Sequence, residues 1–337
     1  MKHYIPLILL FIVTLCRILV WAARYQTPAK TEFKQVEPSR IQQIIINRVE
    51  EALPSPHSEL LLGMTIGIDN LGRVKRFKEF LVTTGTIHVV VVSGFNINLV
   101  FEFIKKSVGS TYRRRNLVFA LSATLLYAII AGFQPPVIRA WIMCAVANLG
   151  KLYGRAIDQI QVLLFTGMVM VAIAPNLIIS LSFQLSFMAS FGLVVVNPVV
   201  LAVFEKVLPK NKGIVQDLAT TLSANIAVWP LISLNFGRIS LIGLLVNPLI
   251  LWTVPIITVL GLVALPFVVA SHSLAVTLGI LLYPLLNIVV KIIEIFGKNG
   301  GNIGFQASRG FVIFYYISLI LVTNWLTSRI VKKSTCV

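Results

Sequence analysis

Long apolar runs separated by short polar breaks fill most of the chain after Gly85. They fall at residues 86–104, 116–133, 137–150, 159–174, 177–203, 215–236, 239–265, 274–296 and 311–328, and another, Ile5 to Ala23, lies at the N-terminus. A helix needs roughly 20 mainly apolar residues to cross a hydrocarbon core of about 30 Å. The pattern therefore predicts an all-α polytopic membrane bundle of about ten spans. Residues 239–270 are ambiguous, because Pro248, Pro255 and Pro266 punctuate the region, which reads either as one broken span or as a span and a half.

Shorter elements precede Gly85. Arg40 to Leu53 places Ile41, Ile44, Ile45, Val49 and Ala52 or Leu53 at helical spacing, and Pro54 and Pro56 end it. Leu60 to Ile68 is apolar but too short to span, which predicts a re-entrant segment or one packed on the bundle. Leu71 to Leu81 interleaves Val74, Phe77, Phe80 and Leu81 with Arg73, Lys75, Arg76 and Lys78. That pattern fits an interfacial helix, or a surface for a polyanion.

Charge orients this pattern. The 337 residues carry 29 Lys plus Arg against 12 acidic residues, a net +17. Only 12% of residues are charged, about half of what a soluble domain carries. Basic residues gather at Lys105–Arg115, at Lys206, Lys210 and Lys212, and in the tail at Arg329, Lys332 and Lys333. With an even number of spans, the positive-inside rule puts all three clusters and both termini in the cytoplasm. The same topology leaves Arg24 to Arg76 outside, so membrane orientation does not account for the basic stretch Arg73–Lys78. Arg17 and Arg24 fit a retained anchor better than a cleaved leader.

Several chemistries are excluded. The four His residues, His3, His57, His88 and His272, lack metal-ligand spacing, and Cys16, Cys144 and Cys336 are isolated. No G-x-x-x-x-G-K-[ST] and no G-x-S-x-G occurs, so neither a nucleotide-driven pump nor a serine hydrolase is readable. No catalytic residue, metal or cofactor is expected.

The positive signal is polarity inside apolar runs, which persists where it meets a partner helix or a water-filled path. His88, Ser93, Asn96 and Asn98 fall in the first run after Gly85. Arg139 lies a few residues into another, where a charge costs about 2.5–3.5 kcal/mol at mid-membrane. It reads either as a snorkelling interfacial residue or as a fixed cation at the mouth of an anion path. Gln184 and Asn225 read either as interhelical hydrogen-bond formers or as channel lining.

At these residues the chain resembles the membrane domain of the ComEC competence proteins, the inner-membrane DNA-uptake channels of natural transformation. Thr84-Gly85-Thr86-Ile87-His88 through Ser93-Gly94-Phe95-Asn96 resembles the family's T-G-x-x-H-x-x-x-x-S-G signature. Gly132 to Ala140, with Met143 and Gly154-Arg155, resembles a second block, and Phe183-Gln184-Leu185-Ser186-Phe187-Met188-Ala189 with Gly192-Leu193 a third. Phe236-Gly237-Arg238-Ile239-Ser240 with Asn247-Pro248 resembles a fourth. Asn96 stands where many members carry a second His, and Leu181-Ser182 where an acidic residue often precedes the third block. Larger members add an oligonucleotide-binding-like domain and a metallo-β-lactamase-like domain. This sequence shows neither, so nuclease activity is not carried over.

The resemblance implies a multi-pass inner-membrane channel for single-stranded DNA, lined by His88, Ser93, Asn96, Asn98, Arg139, Gln184 and Asn225. Arg73, Lys75, Arg76 and Lys78 would capture DNA outside. The expected partners are single-stranded DNA, membrane lipids, an external DNA receptor, a separate nuclease and a cytoplasmic helicase or DNA-binding protein that supplies the driving force. The expected organisation is an anchor helix at 1–23, an extracytoplasmic amphipathic segment at 24–83, a channel domain at 84–328 and a basic tail at 329–337. Two alternatives remain: a secondary transporter of a small anionic or lipid-linked substrate, and a non-transporting scaffold.

Overall fold

The structure, a computed structural model, describes residues 5–24, 40–68, 70–90, 94–108, 114–207, 212–298, 300 and 302–334. It is helical almost throughout. The N-terminal third comprises α1 (Ile5–Arg24), α2 (Arg40–Ala52), α3 (His57–Ile66), α4 (Lys75–Thr83) and the single turn α5 (Ile87–Val90). Next come α6 (Gly94–Val108), α7 (Arg114–Ile130), α8 (Pro135–Leu152) and α9 (Gln159–Ile173). A 3₁₀ turn, Pro175–Ile179, leads into α10 (Leu181–Phe191), a π turn (Gly192–Val196) and α11 (Asn197–Val207). The chain ends with α12 (Lys212–Phe236), β1 (Arg238–Ser240), α13 (Gly243–Leu251), α14 (Thr253–Ala270), α15 (His272–Lys298), β2 (Asn302–Gly304) and α16 (Arg309–Ser334).

Among the described residues, four helices are long and apolar enough to cross a membrane: Leu181–Val207, Thr253–Ala270, His272–Lys298 and Arg309–Ser328. Two shorter apolar helices, Leu10–Ala22 and Gln159–Ile173, resemble them in composition. The structure thus supports a helical membrane protein, and four of the about ten expected spans meet the requirement of length and apolarity among the described residues. The helices at 114–130, 135–152 and 212–236 do form, but they carry charges such as Arg114, Arg139, Lys151 and Asp217. The run 239–265 resolves into β1, α13 and most of α14 rather than one span. β1 pairs antiparallel with β2, Arg238 opposite Gly304 and Ser240 opposite Asn302, the one departure from an all-helical fold among the described residues.

The main core gathers apolar side chains of α2, α3, α4, α13, α14 and α15. Every residue of α3 is buried, so this short apolar segment is an internal strut. The approach is close: a Cβ on Gly63 would stand 2.3 Å from the Val90 carbonyl oxygen, and one on Gly261 would stand 2.4 Å from Thr65 Cγ2. On α2 the buried face is Ile45, Ile46, Val49 and the following Leu53, whereas Ile41 and Ile44 are exposed. The face is rotated from the one expected: Ile46 joins the main core and Ile44 does not. Phe77 and Leu81 of α4 are buried as the amphipathic pattern requires, and Phe80 packs where Gly297 leaves room on α15. A second, smaller cluster joins α6, α7 and α8 through Ile97, Tyr127, Ala128, Val137 and Ala140.

Candidate functional site

Pro135 and Pro136 open α8, where a missing N–H costs nothing, and this places Arg139 just beyond the first helical turn. Opposite it, α10 offers Ser186 and Ser190 one turn apart on a single face, with Phe187 beside them. Arg139 Nε donates to Ser186 Oγ at 2.8 Å, and Nη1 donates to Ser190 Oγ. Nη1 also faces Met143 Sδ at 3.5 Å, and the guanidinium carbon lies 6.0 Å from the centre of the Phe187 ring. Ser190 Oγ donates in turn to the Ser186 carbonyl at 3.2 Å. The third side of the guanidinium is closed by Gly94, the first residue of α6: a Cβ there would stand 2.8 Å from Nη2.

The site therefore unites the first three sequence blocks around one cation. Half-buried Arg139 has no carboxylate within ion-pair distance among the described residues, and only neutral groups face its charge: two hydroxyls, the Met143 sulfur and the Phe187 ring. A guanidinium has five N–H donors, and no acceptor among the described residues bonds to Nη2. A desolvated cation held by neutral groups attracts an anion, and the spare donors set the geometry for an oxyanion such as a phosphodiester.

The other expected lining residues are dispersed. Asn96 is buried and its Nδ2 donates to the Met64 carbonyl at 3.0 Å, next to Tyr127 Oη, which donates to the Thr65 carbonyl at 3.1 Å. Asn96 and Tyr127 thus tie α6 and α7 to the C-terminal end of α3. Gln184 Nε2 donates to the Ile178 carbonyl at 2.8 Å, fastening α10 to the preceding 3₁₀ turn. His88 is exposed with Nδ1 3.0 Å from the Gly85 carbonyl, Asn98 is exposed on α6, and Asn225 is half-buried on α12. Ser93 lies outside the described residues. The structure brings none of the described ones onto Arg139.

The Thr-Gly-Thr start of the first block is a joint. Gly85 adopts φ +69°, a left-handed conformation that suits glycine. Thr84 and Thr86 share a hydroxyl contact of 2.8 Å, and Ser240 Oγ from the fourth block donates to the Thr83 carbonyl at 2.7 Å. The first and fourth blocks meet there. Ser186, Ser190, Met143 and Gly94 were not assigned to the site from sequence; the four-residue spacing of Ser186 and Ser190 in an apolar helix is the signal that could have found the two hydroxyls.

Of the expected capture residues, Arg73 pairs with Glu50 at 2.5 Å, Lys75 and Arg76 are exposed, and Arg76 lies over the Phe80 ring at 5.7 Å. Lys78 is half-buried.

A sequence model of the "Competence protein" family matches residues 73–329, which includes all four blocks and Arg73, Lys75, Arg76 and Lys78. The chain belongs to this competence protein family. Among curated proteins, it is 31% identical over 155 residues to a protein of Aquifex aeolicus (strain VF5) named "Uncharacterized protein", covering 45% of this chain and 37% of that one. It is 23% identical over 208 residues to "ComE operon protein 3" of Bacillus subtilis (strain 168), covering 61% of this chain and 26% of that one. The matched stretches are thus well under half of either relative's length. No solved structure matches this competence family chain.

Proposed function

We propose that the chain is a membrane component of competence that conducts single-stranded DNA across the inner membrane, with Arg139 as a fixed cation on the path. The observation that carries this is a half-buried guanidinium, unpaired by any carboxylate among the described residues and held in place by Ser186, Ser190 and Gly94. A single strand carries one charge per nucleotide, and each must be solvated or paired while it crosses hydrocarbon. A cation held by hydroxyls meets a phosphodiester without first breaking a salt bridge. Membership of the competence family, together with the similarity to "ComE operon protein 3", supports the substrate class. On this reading a separate nuclease prepares the strand outside, and a cytoplasmic helicase or DNA-binding protein pulls it through.

The test compares Arg139→Ala with Arg155→Ala, the latter exposed after α8. Membrane abundance and uptake of labelled DNA are measured together. Arg139→Ala is expected to abolish most uptake at normal abundance, since removing a charge from an apolar helix eases insertion. Arg155→Ala is expected to import normally. Normal uptake by Arg139→Ala at normal abundance refutes the proposal.

A further inference from the structure

A second cationic feature lies apart from the residues around Arg139. The α2–α3 turn, the start of α4 and the C-terminal end of α15 enclose an open groove of about 390 Å³. Arg73, Lys75, Arg76 and Lys298 line it against a single carboxylate, Glu294, with Phe77 and Phe80 forming its apolar wall. Arg73 is engaged by Glu50, whereas Lys75, Arg76 and Lys298 form no ion pair among the described residues. Lys298 comes from an element more than 200 residues away in sequence, and Gly297 brings it close: a Cβ at Gly297 would stand 2.6 Å from Phe80 Cβ. Lys78, one turn further along α4, does not line the groove.

We infer that this groove binds a short stretch of single-stranded DNA. Lys75, Arg76 and Lys298 contact successive phosphodiesters, and the Arg76–Phe80 stack offers a flat face to one base. Charge complementarity selects an anion with repeated charges, since three unpaired cations stand on two sides of one open groove. The exposed guanidinium stacked on an aromatic ring favours a strand with unstacked bases, because base stacking on aromatic or guanidinium faces is a sequence-tolerant source of affinity. Glu294 weakens the grip, so the strand is captured without being trapped. This inference rests on the DNA-handling reading above and adds to it Lys298, Glu294 and Phe80.

The experiment uses the full chain in phosphatidylcholine nanodiscs. It measures anisotropy of a labelled oligothymidylate, and of an abasic strand of equal length, over a range of salt. Lys298→Glu is expected to weaken oligothymidylate binding about tenfold and to lower the salt slope by about one or more phosphate contacts. Glu294→Gln is expected to tighten binding severalfold, a gain that misfolding does not produce. Arg76→Ala is expected to erase most of the preference for oligothymidylate over the abasic strand. Unchanged affinity and salt slope in both Lys298→Glu and Glu294→Gln overturn the inference. So does a Lys298→Glu defect seen only in binding to phosphatidylglycerol vesicles, which makes the groove a lipid headgroup site. Arg139→Ala separates the two readings. If it blocks uptake while Lys298→Glu binds normally, the groove falls and the conducting role stands; if it imports normally while Lys298→Glu binds weakly, the reverse holds.

Discussion

Gly94→Ala tests whether Arg139 is held in place by the close approach of α6. The added Cβ would stand 2.8 Å from Arg139 Nη2, 3.0 Å from Ala140 Cβ and 3.5 Å from the Pro136 carbonyl oxygen. Optimal heavy-atom contact begins near 3.5 Å, so the first two approaches are too close by about 0.7 and 0.5 Å. The guanidinium is the tip of a flexible side chain and gives way before two helix backbones do. A shift of about 0.7 Å carries the 2.8 Å bond to Ser186 Oγ beyond the normal hydrogen-bond range of about 3.2 Å. A hydrogen bond to a charged group is worth roughly 1.5–3 kcal/mol, and alanine returns up to about 1 kcal/mol of helix propensity. The net loss is about 1–2 kcal/mol, too small to prevent insertion. It is large enough to reduce uptake about tenfold if the bonded position of Arg139 is the conducting one. The assay measures the melting midpoint of the purified protein together with DNA uptake per inserted molecule. Both are expected to fall, with abundance near wild type. A double-mutant cycle with Ser186→Ala should show that Gly94→Ala costs less once the bond is gone. Unchanged melting and unchanged uptake for Gly94→Ala refute the reasoning.

Asn96→Leu should destabilise the purified protein by about 1–3 kcal/mol, because it leaves the buried Met64 carbonyl without the amide that reaches it; a melting midpoint equal to wild type contradicts that role. Ser110→Cys, between the basic clusters Lys105-Lys106 and Arg113–Arg115, should stay unlabelled by an impermeant thiol reagent in intact cells; ready labelling overturns the cytoplasmic placement of that loop. Purified protein should not degrade DNA with or without divalent metal, since its His residues lack ligand spacing; metal-dependent cleavage lost on His88→Ala would show otherwise.

The sequence alone determined the class of molecule. Membrane compatibility is a property of local composition, and a run such as His272–Lys298 announces itself without reference to any neighbour. Helix positions followed for the same reason: Pro135-Pro136 start α8, Pro54 stops α2, and Asp158 caps α9 by accepting from the Ile160 amide. The cost of charge in hydrocarbon singled out Arg139 before any partner was known. Tertiary structure decided what each polar residue meets. Asn96 and Arg139 carry similar signals in sequence, yet one is consumed by a carbonyl of α3 and the other is left without a countercharge among the described residues. The shortness of the α3 segment was legible in the linear pattern, but its burial on every side was not, nor was the division of residues 239–265 into a strand, the short α13 and α14. That Lys298 lines one groove with Arg76 was likewise invisible in the sequence, because they lie on helices far apart along the chain. Hydrophobic length is written residue by residue, whereas the contact between Arg139 and Ser186, 47 positions apart, exists only once the helices between them have packed.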